Sequence, residues 1–309
     1  MNHQNKKQTN DETVANAALH QPVLLAEVLE CLSPQTGESY LDVTAGYAGH
    51  ARAVADMTNA IERITLVDRD EIAIAELQKA LPKAKTIHRD FLSASQQLLE
   101  QGSKYNMILA DLGVSSVHLD NASRGFSFMT EAELDMRMDN RQTLTAAEIV
   151  NTYDEAEISR LLWKYGEEPK SRQIARLIVQ ARPITTTTQL AAVVKRAWPG
   201  HSKSHPATRT FQALRIAVND EIHMLEQAIP IWIDLLEDGG RLAIISFHSL
   251  EDRVVKQHFN HYSEGYEAKV AVITKKPVTA SEHELALNPR SRSAKLRVVV
   301  KQTNGLRQK

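Results

Sequence analysis

Four short apolar runs alternate with amphipathic helical segments between Tyr40 and Asp111, and that alternation leaves few folds open. The runs are Tyr40-Leu-Asp-Val-Thr, Ile64-Thr-Leu-Val, Thr86-Ile-His and Met107-Ile-Leu-Ala. Near-continuous apolar runs of this length suit strands buried on both faces of a parallel sheet. Between them, Asp70 to Leu81 reads as a helix stopped at Pro82, and Leu92 to Gln101 as one closed by Gly102. The expected fold is a doubly wound α/β sheet. In such a sheet, polar residues at the carboxyl ends of the strands line the ligand crevice.

Those ends carry distinctive residues. The first strand runs into Ala45-Gly46-Tyr47-Ala48-Gly49-His50, a glycine-containing turn before a helix. Gly-x-x-Gly is only part of the dinucleotide fingerprint, and an ordinary strand-to-helix turn would read the same way. Asp68 ends the second strand, 22 residues after Gly46, where an acidic side chain binds ribose hydroxyls. Turn and carboxylate together point to a nucleoside-bearing cofactor and disfavour a 2′-phosphate, but do not separate NAD from S-adenosylmethionine. Phe91, after the third strand, is either a purine platform or a core ring. Asp111 ends the fourth strand abruptly before Leu-Gly-Val-Ser-Ser, as a turn cap or as a polar group delivered into the crevice.

After Asp111 the alternation stops. Ala146 to Val150, Ala156 to Tyr165, Ser171 to Arg182 and Gln189 to Ala197 read as helices, with no convincing strand among them. A long helix from about Thr208 to Leu236 follows, then a fifth strand from Arg241 to Phe247. Ser249-Leu-Glu-Asp252 reads as a capping box. Late strands are expected at Ala268 to Ile273 and Leu296 to Val300. The expected organisation is a polar tail over 1–19, a discontinuous sheet domain over 20–116 and 207–302, an all-helical insert over 117–206, and a short tail over 303–309.

Several classes drop out on composition. One cysteine, Cys31, excludes a disulfide framework and a cysteine-based zinc site, and the histidines form no His-Glu-x-x-His pattern, so no metal is expected. No apolar stretch is long enough to span a membrane, and the polar N-terminus lacks a signal core, so a cytoplasmic protein is expected. The oligomeric state stays open, a homodimer included. Net charge is -1, yet eleven basic residues face only Glu167 and Glu168 between Arg160 and Arg215, and seven basics and no acid lie from Arg290 to Lys309. Such segregation is the footprint of a phosphate-backbone partner. At 100° per residue, Ile174, Leu177, Ile178 and Ala181 share one helix face, with Arg172 and Arg176 opposite. In the long helix, Phe211, Leu214, Val218, Ile222, Leu225 and Ile229 form a buried stripe. Thr208, Gln212, Arg215 and Asn219 form a polar stripe beside it, as a crevice wall or a hydrogen-bonded junction.

Longer motifs narrow the reading. They are Asp111-Leu-Gly-Val-Ser-Ser, Arg124-Gly-Phe-Ser-Phe, Leu134-Asp-Met-Arg-Met-Asp, the stretch from His205 to Glu221, Ile245-Ser-Phe-His-Ser-Leu-Glu-Asp-Arg, and Asn288-Pro-Arg-Ser-Arg-Ser-Ala-Lys-Leu-Arg. In this order they resemble the bacterial small-subunit (16S) ribosomal RNA cytosine-N4 methyltransferases, the RsmH or MraW family, over about His20 to Val300. The resemblance implies a Rossmann-like class I methyltransferase sheet with an inserted helical domain, S-adenosylmethionine as donor and a cytidine as acceptor. It places cofactor contacts at Ala48, Gly49, His50, Asp68, Phe91, Asp111 and His118. Asp111, between the cofactor turns and the helical insert, is the candidate for activating the acceptor amine or for positioning the methionine moiety. Expected RNA contacts are Arg172, Arg176, Arg209, Arg215 and Asn219. The chain departs from the family at Ala48, where a glycine is usual, and at Val117-His118, where Pro-Gln is usual. Rival readings are an NAD-dependent dehydrogenase, a non-catalytic RNA-binding or assembly protein, and a DNA amino-methylating enzyme, whose Asp/Asn-Pro-Pro-aromatic motif this chain lacks.

Overall fold

The computed structural model describes residues 22–113, 124–200 and 205–303. They fall into two compact units: Met1–Gly113 with Leu225–Lys309, and Val114–Met224.

The first unit is built on a seven-stranded sheet of order β3-β2-β1-β4-β5-β7-β6. The strands are β1 (Tyr40–Asp42), β2 (Ile64–Asp68), β3 (Lys85–His88), β4 (Tyr105–Asp111), β5 (Leu236–Ser246), β6 (Val270–Val272) and β7 (Lys295–Lys301). Pairing is parallel from β3 to β5, and β7 runs antiparallel to both β5 and β6. This is the doubly wound, Rossmann-like class I methyltransferase arrangement. The order reverses between β1 and β4, where Leu41 lies beside Ile108 and Asp42 beside Leu109. At such a switch point the connections leave in opposite directions and open a crevice at the carboxyl ends. Tyr40, Ile64, Leu66, Met107, Leu109, Ile245 and Val298 pack in one apolar cluster with Leu24, Val28 and Leu32 of the helix region preceding β1. Trp232 is fully buried; its indole N–H donates to Ser95 Oγ at 2.8 Å, so its polar edge is satisfied.

The second unit is helical. Helices Ala146–Thr152, Glu155–Gly166, Ser171–Gln180, Thr187–Lys195 and Thr208–Asn219 contribute to its core. Ile174 and Ile178 are buried and Arg172 and Arg176 exposed, as the helical period requires.

Three expectations change here. The single helix over 208–236 is two helices, Thr208–Asn219 and Glu221–Leu235. Asp220 turns into the left-handed region at φ 49° and its N–H caps Ile216 O, a conformation that short polar side chains tolerate. The division between units falls after Met224 rather than at 206, because Phe211 and Leu214 pack into the core of the helical unit. The capping box belongs to His248 and Glu251, one residue earlier than Ser249 and Asp252.

Candidate active site at the carboxyl edge of the sheet

Three carboxylates end three neighbouring strands: Asp42 on β1, Asp68 on β2 and Asp111 on β4. The turn after β1 is stitched to its neighbours by hydrogen bonds. Val43 N–H donates to Leu109 O, Ala45 N–H to Val67 O, and Gly46 N–H to Asp68 Oδ2 at 2.9 Å. Thr44 links both sides: its N–H donates to Asp42 Oδ1 at 3.2 Å, and its Oγ1 accepts from Asp111 N–H at 2.6 Å.

Ala48 sits in the left-handed region at φ 65°, fully buried, and N-caps the helix Gly49–Thr58. A side chain there carries a strain of roughly 1–2 kcal/mol that glycine would lack. Gly49 is demanded by packing: a Cβ would lie 2.5 Å from Pro22 Cγ. The same N-terminal segment holds His50, whose Nε2 lies 3.0 Å from Val23 O. With Nε2–H donating to that carbonyl, Nδ1 is left as an acceptor. It lies 3.9 Å from Asp111 Oδ2. Burial pushes the His50 pKa down to about 4, so the ring is neutral at neutral pH and supplies Asp111 with no counter-charge.

Asp111 lies in surroundings that disfavour its charged form. Its Oδ1 is buried with no hydrogen-bond partner among the described residues. Burial, then the negative charges of Asp42 and Glu251, raise its pKa well above the usual carboxylate range. Asp42 is pushed up to about 7, first by burial, although Tyr40 O–H and Thr44 N–H both donate to it; the Asp68 charge adds to the rise. A carboxyl whose folded pKa lies above its unfolded value stabilises the fold fully below the unfolded pKa, and that stability is lost as pH rises through about 7. Asp42→Asn removes the loss. The melting temperature of the variant, relative to wild type, should rise between pH 5 and 8, by an amount reflecting a few kcal/mol on the order given by linkage. A difference independent of pH would remove Asp42 as the source.

Ala48, Gly49, His50, Asp68, Phe91 and Asp111 all stand at or just beyond the carboxyl ends of β1 to β4. His50 and Asp111 approach each other, and Asp68 holds the turn through Gly46 and its own loop through Asp70 N–H at 2.8 Å. Phe91 is buried with its ring 5.6 Å from that of Trp232, so at least one face serves the core. His118 lies outside the described residues. Asp42, Thr44 and Glu251 were not singled out from sequence. Asp42 sits inside the apolar run Tyr40-Leu-Asp-Val-Thr, so the sequence does not mark it as a strand end as it does Asp68 and Asp111.

The expected RNA contacts divide. Arg172, Arg176 and Arg209 are exposed, with Arg176 3.7 Å from Glu155 and Arg209 donating to Glu167 O. Asn219 is corrected: it is fully buried, donating to Met136 O and Arg215 O and accepting from Met138 N–H. Arg215 is also largely withdrawn, held by a bidentate pair with Glu221 at 2.9 Å. Gln212 donates to Tyr165 O. The polar stripe is thus an internal clasp of the helical unit. In the C-terminal basic run, Lys295 and Arg297 turn to Asp252, and Lys301 donates to Leu236 O.

A family model described as the MraW methylase family matches residues 17–302. A protein named "Ribosomal RNA small subunit methyltransferase H" from Heliobacterium mobile is 46% identical over 307 residues, covering 91% of this chain and 98% of its own. Proteins of the same name from Deinococcus deserti and a Cyanothece species are each 49% identical, covering 93% and 91% of this chain and 95% and 94% of their own.

Proposed function

The chain belongs to the MraW methylase family, and from that premise we propose that it moves a methyl group from S-adenosylmethionine to the exocyclic N4 of a cytidine in small-subunit (16S) ribosomal RNA. The observation that carries this reading is the Asp111 Oδ1 at the switch point between β1 and β4, buried and without a hydrogen-bond partner among the described residues. A buried acceptor without a partner calls for a donor from a ligand.

The edge fits the cofactor. Asp68 accepts the backbone N–H groups of Gly46 and Asp70, which fixes its carboxylate at the end of β2, where an acidic side chain binds ribose hydroxyls. Gly46, at φ 51°, and Ala48 bend the backbone so that it presents itself closely to a ligand. When bound, S-adenosylmethionine supplies an electrophilic methyl carbon on a sulfonium. The cytosine amine is a weak nucleophile because its lone pair is delocalised into the ring. Asp111 would accept its N–H, localise that pair, and take the proton as the new N–C bond forms and the methyl–sulfur bond breaks, its electron pair staying on sulfur. A carboxylate of raised pKa is the stronger base for this transfer, once ionised.

The target base reaches such an edge single-stranded or flipped out. Binding of the flanking RNA falls to the exposed arginines of the helical unit, and a ribosomal RNA substrate supports a cytoplasmic location. Arg172→Glu with Arg176→Glu should weaken rRNA binding by about tenfold or more and flatten its salt dependence, with donor affinity unchanged. Equal affinity across a salt series would exclude this face. The function itself is tested with methyl-labelled S-adenosylmethionine and either free 16S rRNA or small subunits from cells lacking the activity. Label entering the RNA supports the proposal; label entering neither substrate rejects it.

A further inference from the structure

A second basic feature lies on the sheet unit, in a hollow of about 180 Å³ between the helix Ser249–Ser263 and strands β6 and β7. Its lining includes Lys256, Asn260, Thr274, Lys275 and Arg297 around Phe259, and no acidic residue. From this lining we propose that the hollow is a phosphate-binding site, and that it seats a backbone phosphate of the RNA substrate.

The chemistry is donor-rich. Lys256 and Lys275 are exposed and make no ion pair among the described residues. Arg297 is buried and gives Nε and Nη2 to Asp252, at 2.6 and 3.3 Å, which fixes its guanidinium and leaves Nη1 available. Thr274 Oγ1 already accepts from Val298 N–H at 2.8 Å, so its O–H is what it has left to offer. Asn260 adds an amide donor. Asp252 does not neutralise the group, because it is shared with Lys295 at 3.3 Å. Lys256, Lys275, Lys295 and Arg297 against Asp252 give four positive charges less one negative, a local net of +3 in a chain of net charge -1. Phosphate, a compact anion with acceptor oxygens only, matches such a lining.

The site rests on the rRNA reading above and extends it. It gives the sheet unit its own hold on the nucleic acid, independent of base identity, since phosphate contacts position a duplex or strand without reading it.

The test is rRNA binding by Lys256→Gln with Lys275→Gln, followed across a salt series. Affinity should fall about tenfold, and the slope of log affinity against log salt should shrink by roughly one. Melting temperature and S-adenosylmethionine affinity should match wild type, and Lys256→Arg with Lys275→Arg should retain binding. Wild-type affinity and slope in the glutamine variant, with wild type binding rRNA normally, would overturn this proposal alone. A wild type that binds no small-subunit rRNA would overturn the substrate reading and this site with it. A parallel arm uses inorganic phosphate. If phosphate raises the melting temperature of wild type but not of the glutamine variant, while both bind RNA equally, the hollow takes a free anion and the RNA assignment is wrong.

Discussion

Asp111→Asn should lower methyl transfer by about 10²- to 10⁴-fold, the range ascribed to a positioned general base, while the fold and rRNA affinity persist. The substitution keeps size and planarity but removes the proton acceptor. It should not damage the fold. Asp111 is held by its own backbone N–H, which donates to Thr44 Oγ1, and its Oδ1 has no partner to lose among the described residues. An amide in that place can also face the free Nδ1 of His50. The pH profile gives a second readout. Burial and the charges of Asp42 and Glu251 all raise the Asp111 pKa, so wild-type activity should climb with pH through a limb above the ordinary carboxylate range. The residual activity of the asparagine variant should lack that limb. Near-wild-type rates at saturating donor would take Asp111 out of the chemistry and leave it a positioning role.

Gly125→Ala should destabilise the helical unit by about 3 kcal/mol or more, through strain at a special backbone conformation. Gly125 has φ 72°, and a Cβ there would lie 2.3 Å from Glu133 O and 2.9 Å from Asp135 N. Both are backbone atoms, so no side chain can swing aside. The segment that would have to move is anchored repeatedly. Leu134 N–H donates to Thr185 O, and Asp135 grips Arg137 through both carboxylate oxygens at 2.8 Å. Arg124 donates to Met138 O at 3.0 Å, and Asn219 clasps Met136 and Met138. Hydrogen exchange should show lost protection in Ala146–Thr152 and Thr187–Lys195. Unchanged protection there would mean that the loop yields at little cost.

The sheet was legible because buried parallel strands leave a local signature, an apolar run cut off by a polar residue. Asp68 and Asp111 carry that signature; Asp42, followed by Val43, does not. The polar stripe of the Thr208–Asn219 helix was not legible in the same sense. Helical period puts Asn219 on a polar face, but period cannot tell water from a backbone partner brought from Met136 and Met138, some eighty positions earlier. The break at Asp220 had a local signal, an Asn-Asp pair able to enter the left-handed region, and the continuous apolar stripe hid it. The capping box was misplaced by one because histidine is an uncommon cap, whereas Ser-x-x-Asp matches the usual pattern.

The most direct test of the account is where the methyl group lands. Small-subunit rRNA treated with the protein and isotope-labelled S-adenosylmethionine is digested to nucleosides and separated by liquid chromatography with mass detection. Label should appear in N4-methylcytidine, at a yield about 10²- to 10⁴-fold lower with Asp111→Asn. Label in 5-methylcytidine, in another nucleoside, or at equal yield with Asp111→Asn would contradict the account.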